Sequence, residues 1–309
     1  MAANNRILVA GSINTDLVVR TRRAPEAGET VTGTSFATFG GGKGANQAVA
    51  AARAGGQVAM LSGVGTDDFG RQRLYDLEAE AVTISTVLTT EQASSGVALI
   101  TVEESGQNRI AYVPGAGWEV SPEHALAALD DWNPRFVLST LELPHLTLEA
   151  LYRAARERNL TIVCNGTPEP ADGRDLVQLV DVLIVNEQEA VELARSDVGE
   201  DWARVAELLS DLGPSIVILT LGAAGALVLH AGKMTAVPTI PVDVVDTTGA
   251  GDAFCGAFTA FLAAGKSPVE AAAMATIAGS LAVTRAGAQP SIASLAEIEE
   301  AFREQALAS

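Results

Sequence analysis

Short runs of β-branched and other apolar residues alternate with segments of helical period along most of the chain, and nothing else restricts its possible folds so strongly. The runs at 6–12, 57–63, 136–142, 161–165, 182–186 and 215–221 are almost wholly apolar. A strand with one wet face would alternate polar and apolar residues, so such runs belong to strands buried on both faces. Between them, 44–55, 67–81, 146–159, 201–212, 251–264 and 268–283 place apolar residues three and four apart. The alternation predicts βαβ units in one α/β domain, a three-layer α/β/α stack around a mostly parallel sheet. A chain of 309 residues, 48% of them apolar, has enough material for such a core.

Two stretches interrupt the pattern. Residues 17–39, with Pro25, Gly28 and Gly33, and residues 96–117 read as strands and turns without helices. Either they form one small β-sheet lid, spanning roughly 14–40 and 95–117, or they are two unrelated surface hairpins. The acid-rich segment 195–202 reads as a solvated loop.

The net charge of −18 argues against a nucleic-acid or anionic-membrane surface, because such partners require a basic face. A polyanionic ligand must then be held by local features: helix N-termini, glycine amides, single lysines or a divalent cation. No apolar stretch approaches the ~20 residues of a membrane helix, and the N-terminus lacks the succession of basic, apolar and cleavage segments of an export signal. A cytoplasmic protein is expected. Cys164 and Cys255 lack disulfide-scaffold or metal-ligand spacing and read as buried thiols.

Ligands of parallel α/β sheets collect at the carboxyl ends of the strands. Asn14 and Asp16, Glu142, Asn186 and Glu189, and Thr220, Gly222 and Gly225 follow four of the predicted strands. Each alone is an ordinary turn or capping residue; together they favour one cleft. Phe39-Gly-Gly-Gly-Lys-Gly-Ala-Asn-Gln47 opens a helical pattern but is no P-loop, since Ala37 replaces the first glycine and Gly44 follows Lys43. Nor does it follow the first sheet strand, as a dinucleotide fingerprint requires. Its plainer reading is a flexible turn with a solvated Lys43. In Asp246-Thr-Thr-Gly-Ala-Gly-Asp252 the amides of Gly249, Ala250 and Gly251 stand at a helix start, a ready anion site. Asp252 is then either a first-turn acid favoured by the helix dipole or a base for a hydroxyl attacking a phosphoryl group.

Gly11-Ser-Ile-Asn-Thr-Asp16, Gly41-Gly-Lys-Gly-Ala-Asn-Gln-Ala48, Asn186-Glu-Gln-Glu189, Thr220-Leu-Gly222, Asp246 to Asp252 and Ala286-Gly-Ala-Gln-Pro-Ser291, in that order, closely resemble the PfkB, or ribokinase-like, family of carbohydrate kinases. The resemblance covers nearly the whole chain and implies a ribokinase-like domain that transfers the γ-phosphoryl group of ATP to the O5 hydroxyl of D-ribose. It implies that Asn14, Asp16, Gly41, Gly42, Lys43, Asn46 and Glu142 bind the sugar, with Asp252 as base and Gly249, Ala250 and Gly251 as anion hole. Asn186, Thr220, Gly222, Gly225, Gly251 and Thr276 would line the nucleotide site. Glu189, with Asn186, would organise Mg²⁺ indirectly. Asp246, Thr248, Ala282, Arg285, Gly287 and Ser291 would hold a monovalent cation, usually K⁺, and two subunits would pair through their lids as a homodimer.

The sequence departs from the family pattern at Cys164-Asn-Gly-Thr-Pro168 and at Thr276, both on the nucleotide side. Deoxyribose, another pentose or hexose, or a nucleoside are alternative acceptors. A non-catalytic sugar sensor is a different class of answer, against which the full set of Asp252, anion-hole glycines and Asn186-x-x-Glu189 speaks.

Overall fold

The computed structural model describes residues 5–167, 170–195 and 201–308, so most of the predicted acidic loop at 195–202, and Pro168, lie outside the described residues. The chain opens with β1 (Arg6–Ala10), β2 (Asn14–Thr21), β3 (Gly33–Gly41) and α1 (Lys43–Arg53). β4 (Gln57–Gly65), α2 (Asp68–Ala79), β5 (Val87–Thr90), β6 (Gly96–Glu103) and β7 (Asn108–Val113) follow. The middle of the chain runs through α3 (Pro122–Trp132), β8 (Phe136–Thr140), α4 (His145–Glu157), β9 (Thr161–Asn165), α5 (Pro170–Val177), β10 (Val182–Asn186) and α6 (Glu187–Ala194). It closes with α7 (Trp202–Ser210), β11 (Ile216–Thr220), β12 (Ala226–His230), β13 (Lys233–Val237), α8 (Ala250–Ala263), α9 (Pro268–Ala282) and α10 (Leu295–Ala308).

Nine strands form one sheet in the order β13-β12-β11-β10-β9-β8-β1-β4-β5. From β11 to β5 every pairing is parallel, and β12 and β13 add an antiparallel hairpin at one edge. The apolar runs explain the burial: in β1, Ile7 and Val9 enter the core shared with α1, α8 and α9, while Leu8 and Ala10 enter the one beneath α3 to α7. Side chains alternate across a strand, so a sheet covered on both faces must be apolar at every position. The six predicted strands and six predicted helices all form, with ends displaced by two residues or fewer.

The two interrupting stretches fold into one separate four-stranded sheet, β3-β2-β6-β7, rather than two unrelated hairpins. β2 pairs in parallel with β6, and each carries an antiparallel partner on its outer side. Because β2 leaves β1 directly, this small sheet begins at the carboxyl end of the large one, where Asn14 and Asp16 lie.

Candidate active site

Two helix starts meet at that edge. α1 begins at Lys43 behind Gly42, whose φ of 93° and close approach to Ser12 O, 2.6 Å from where a Cβ would sit, exclude a side chain. α8 begins at Ala250 behind Gly249, whose φ of 79° is left-handed, and no side chain caps the helix. Ala250 N–H bonds Thr247 O at 3.3 Å, which leaves the later first-turn amides, beginning at Gly251, to a ligand. α1 and α8 pack against each other through a common core. The packing brings Lys43 and the 249–252 turn to one cavity of about 230 Å³.

Asp252 stands in the cavity wall. Its Oδ2 accepts from Asn46 Nδ2 at 2.9 Å and its Oδ1 from Gln47 Nε2 at 3.0 Å. Burial pushes its pKa up to about 6; the two amides and Lys43 hold it down, and Glu142 adds a smaller upward push. Asn186, Glu189, Thr220, Gly249 and Gly251 line the same cavity, as the sequence predicts, joined by Asn165, Thr167, Ile184 and Cys255. Asn186 and Glu189 form a capping box at the start of α6: Glu189 N–H donates to Asn186 Oδ1 at 2.9 Å, and Asn186 N–H to Glu189 Oε2 at 3.0 Å. Glu189 lines the cavity, and desolvation raises the pKa of its carboxyl.

A second cluster adjoins Asp252 on the side of the small sheet. Glu142 Oε2 accepts from Ser12 Oγ at 2.6 Å and Thr140 Oγ1 at 3.1 Å. Asp16 lies so close over Gly41 that a Cβ there would collide with its carboxylate, and burial raises its pKa to about 6 against the pull of Arg73. Asn14 Oδ1 and Asn46 Oδ1 are buried with no partner among the described residues. Unsatisfied acceptors of this kind cost ~1–3 kcal/mol each, a cost that hydroxyl donors of a small polyol would remove.

Asp246 precedes the 249–252 turn and lies outside the cavity wall. Its Oδ1 accepts from Thr248 N–H at 2.9 Å and Thr248 Oγ1 at 2.7 Å, and its Oδ2 from Gly287 N–H at 2.9 Å, which lowers its pKa despite partial burial. Asp246 thereby ties the 246–249 loop to the 285–291 loop. Ser291 is fully buried with its hydroxyl on Ala288 O at 2.8 Å, and the Arg285 guanidinium pairs with Glu297. Gly222 and Gly225 sit in the turn after β11, and Thr276 is buried within α9 with its hydroxyl on Ala272 O at 2.8 Å; none of the three belongs to the cavity wall. His124, His145 and His230 lie outside the wall too, and both cysteines are free, buried thiols.

Gln47, Asn165, Ser12, Tyr112 and Arg73 escape the sequence reading. Gln47 and Ser12 lie inside quoted motifs and Asn165 inside the departing segment, but nothing local marks them as partners of Asp252 or Glu142. Tyr112 reaches the Asn14 and Ser12 side chains from β7, and Arg73 is buried beside Gly40 with an ion pair to Asp76 at 2.7 Å.

The comparisons with known proteins agree with this arrangement. A family model described as pfkB family carbohydrate kinase matches residues 4–295. Ribokinase of Bacillus subtilis (strain 168) is 38% identical over 95% of this chain and 98% of its own. The crystal structure of ribokinase from Thermotoga maritima superposes with a TM-score of 0.85 at 34% identity, covering 98% of this chain and 99% of its own. Arabidopsis thaliana ribokinase complexed with ribose and ATP gives 0.89 at 28% identity, covering 97% and 99%. With its fold, glycine-opened helix starts and matched motifs, the chain belongs to the pfkB family of carbohydrate kinases.

Proposed function

We propose that the chain transfers the γ-phosphoryl group of ATP to the O5 hydroxyl of D-ribose. The observation that carries this reading is the position of Asp252. Its carboxylate stands between an uncapped helix start suited to phosphate and a buried cluster with unpaired acceptors suited to a polyol. Ribose enters as the acceptor because the relatives just described are ribokinases, one of them complexed with ribose and ATP.

In this reading Asn14, Asp16, Asn46 and Glu142 hold sugar hydroxyls, and Gly41 and Gly42 let the backbone approach. Asp252 takes the O5 proton as the O5–phosphorus bond forms and the bond from phosphorus to the bridging oxygen of ADP breaks. The transition state is loose, so alignment and charge carry most of the rate. The Gly249–Gly251 turn is assigned as the anion hole, with the α8 dipole and the first-turn amides from Gly251 onward facing the charge that develops and Lys43 alongside. Asn186, Thr220, Gly222, Gly225 and Thr276 are assigned to the nucleotide side.

A magnesium ion would supply charge neutralisation on the phosphates, with Glu189 and Asn186, both in the cavity wall, organising it indirectly through its waters. No cluster of three or more His, Cys, Asp or Glu side chains able to hold a metal exists among the described residues, and Mg²⁺ at kinase sites keeps water and phosphate ligands rather than an all-protein cage. Asp246, Thr248, Ala282, Arg285, Gly287 and Ser291 are assigned to a K⁺ site on the family resemblance, and the tie from Asp246 to Gly287 N–H, which joins the 246–249 and 285–291 loops, supports that reading. The small sheet acts as the lid. Phe36, Leu99 and Val113 are exposed on its face opposite Asp16, where they favour pairing of two subunits in the cytoplasm.

The test is ADP release over a panel of ribose, 2-deoxyribose, fructose and nucleosides, in potassium and in sodium. Ribose should be fastest, with 2-deoxyribose slower by at least about 10²-fold, because a site built to pair a hydroxyl rejects the analogue that lacks it. Preference for a nucleoside, or ATP turnover indifferent to sugar, would overturn the reading. Small-angle scattering should show compaction on adding ribose if the small sheet closes.

A further inference from the structure

The base does not hang free at the start of α8. Gln47 Nε2 donates one hydrogen to Asp252 Oδ1 at 3.0 Å and the other to Asn165 Oδ1 at 2.9 Å, and Asn165 Nδ2 donates to Ile184 O at 3.2 Å. A continuous line of hydrogen bonds thus runs from α8 through α1 and β9 to the backbone of β10. The amide of Gln47 has one possible orientation, since the reverse would set Oε1 against two acceptor oxygens.

We propose that Gln47, anchored by Asn165, is the positioning residue for Asp252: it holds Oδ1 and presents the carboxylate to the sugar hydroxyl. The inference rests on the assignment of Asp252 as the base. A filler role for Gln47 is disfavoured by its side-chain oxygen, Oε1, which is fully buried with no partner among the described residues. An apolar side chain of the same length would fill the space without that cost. Asn46 differs: its Nδ2 holds Oδ2, and its orphaned Oδ1 belongs to the sugar side.

The charged and titratable groups around the carboxylate are Lys43 from α1, Glu142 after β8, Glu189 from α6 and Cys255 on α8. None of them changes when Gln47 is replaced, so a shift in the acid limb of the rate profile reports the lost donor.

The experiment compares full-length wild type, Gln47→Met, Asn165→Val and Asp252→Asn in ribose phosphorylation across pH, with ribose affinity measured by calorimetry. Gln47→Met should lower kcat by roughly 10- to 100-fold and leave ribose affinity within about threefold. The acid limb of kcat/KM should move up by about one pH unit, because the donor favoured the ionised base. Asn165→Val should move the limb in the same direction by less, and it decides the matter alone if Gln47→Met does not fold. An unmoved limb with full kcat in these variants, while Asp252→Asn is inactive, overturns the positioning role and spares the base. Full turnover by Asp252→Asn overturns both.

Discussion

Asp246 and Asp252 stand six residues apart around one glycine turn, yet their surroundings drive them in opposite directions. Asp246 accepts three hydrogen bonds, two from backbone amides, and is held below the ordinary carboxylate range. Asp252 accepts two from side-chain amides but loses so much water that its pKa rises to about 6. The first environment stabilises charge and fixes two loops together. The second keeps a carboxylate ready to take a proton near neutral pH, at some cost to the fold. Titratable groups pushed apart in this way mark a division of labour between structure and chemistry.

Removing one carboxylate at a time breaks the comparison most severely. Asp252→Asn should reduce ribose turnover by on the order of 10²–10⁴ while ribose binding, measured by calorimetry, largely survives. Asp246→Asn should cost roughly tenfold in kcat through the loosened 285–291 loop, and it should weaken the dependence on potassium in the same assay. Equal losses in the two variants would erase the distinction.

A pH profile sharpens it. Both Asp16 and Asp252 titrate at about 6, so kcat/KM should fall below that pH with a slope steeper than one per unit. Asp246 should add nothing until far lower. Asp16→Asn should reduce the slope towards one.

Stability supplies the smallest effect and opposite signs. The raised pKa of Asp252 means that its contribution to stability is fully present below the unfolded value near 4 and is lost as pH rises through 6. Asp252→Asn should therefore stabilise the unliganded protein at pH 8 by on the order of 1 kcal/mol, a gain that fades towards pH 4 in thermal unfolding. Asp246, held low, contributes above the ordinary carboxylate range and loses that contribution as pH falls. Asp246→Asn should destabilise at pH 8 by roughly 0.5–1 kcal/mol, discounted for solvent screening.

The part of the fold that depends on burial was legible in the chain, because strands covered on both faces cannot hide their composition. The β12–β13 hairpin was not: Ala231-Gly232 forms its two-residue turn with positive φ at both positions, but it lacks the Asn-Gly signature that would announce it. α6 was obscured because Asn186 and Glu189, read as ligands, are also its capping box. At the site, motif residues such as Asp252, Lys43 and Asn186 declared themselves through local glycines and strand ends. Gln47 and Asn165 act through pairings that span 118 and 205 residues, and Tyr112 enters from a strand of the other sheet. No local pattern encodes such contacts, since they exist only once α1, α8 and β9 have packed.

The most direct measurement is a carbon-13 NMR titration of aspartate-labelled, unliganded protein, with the two carboxyl signals assigned from the Asp246→Asn and Asp252→Asn variants. Asp252 should titrate at about 6 and Asp246 below the ordinary carboxylate range. Coincident titration of both near pH 4 would contradict the division of roles around this turn.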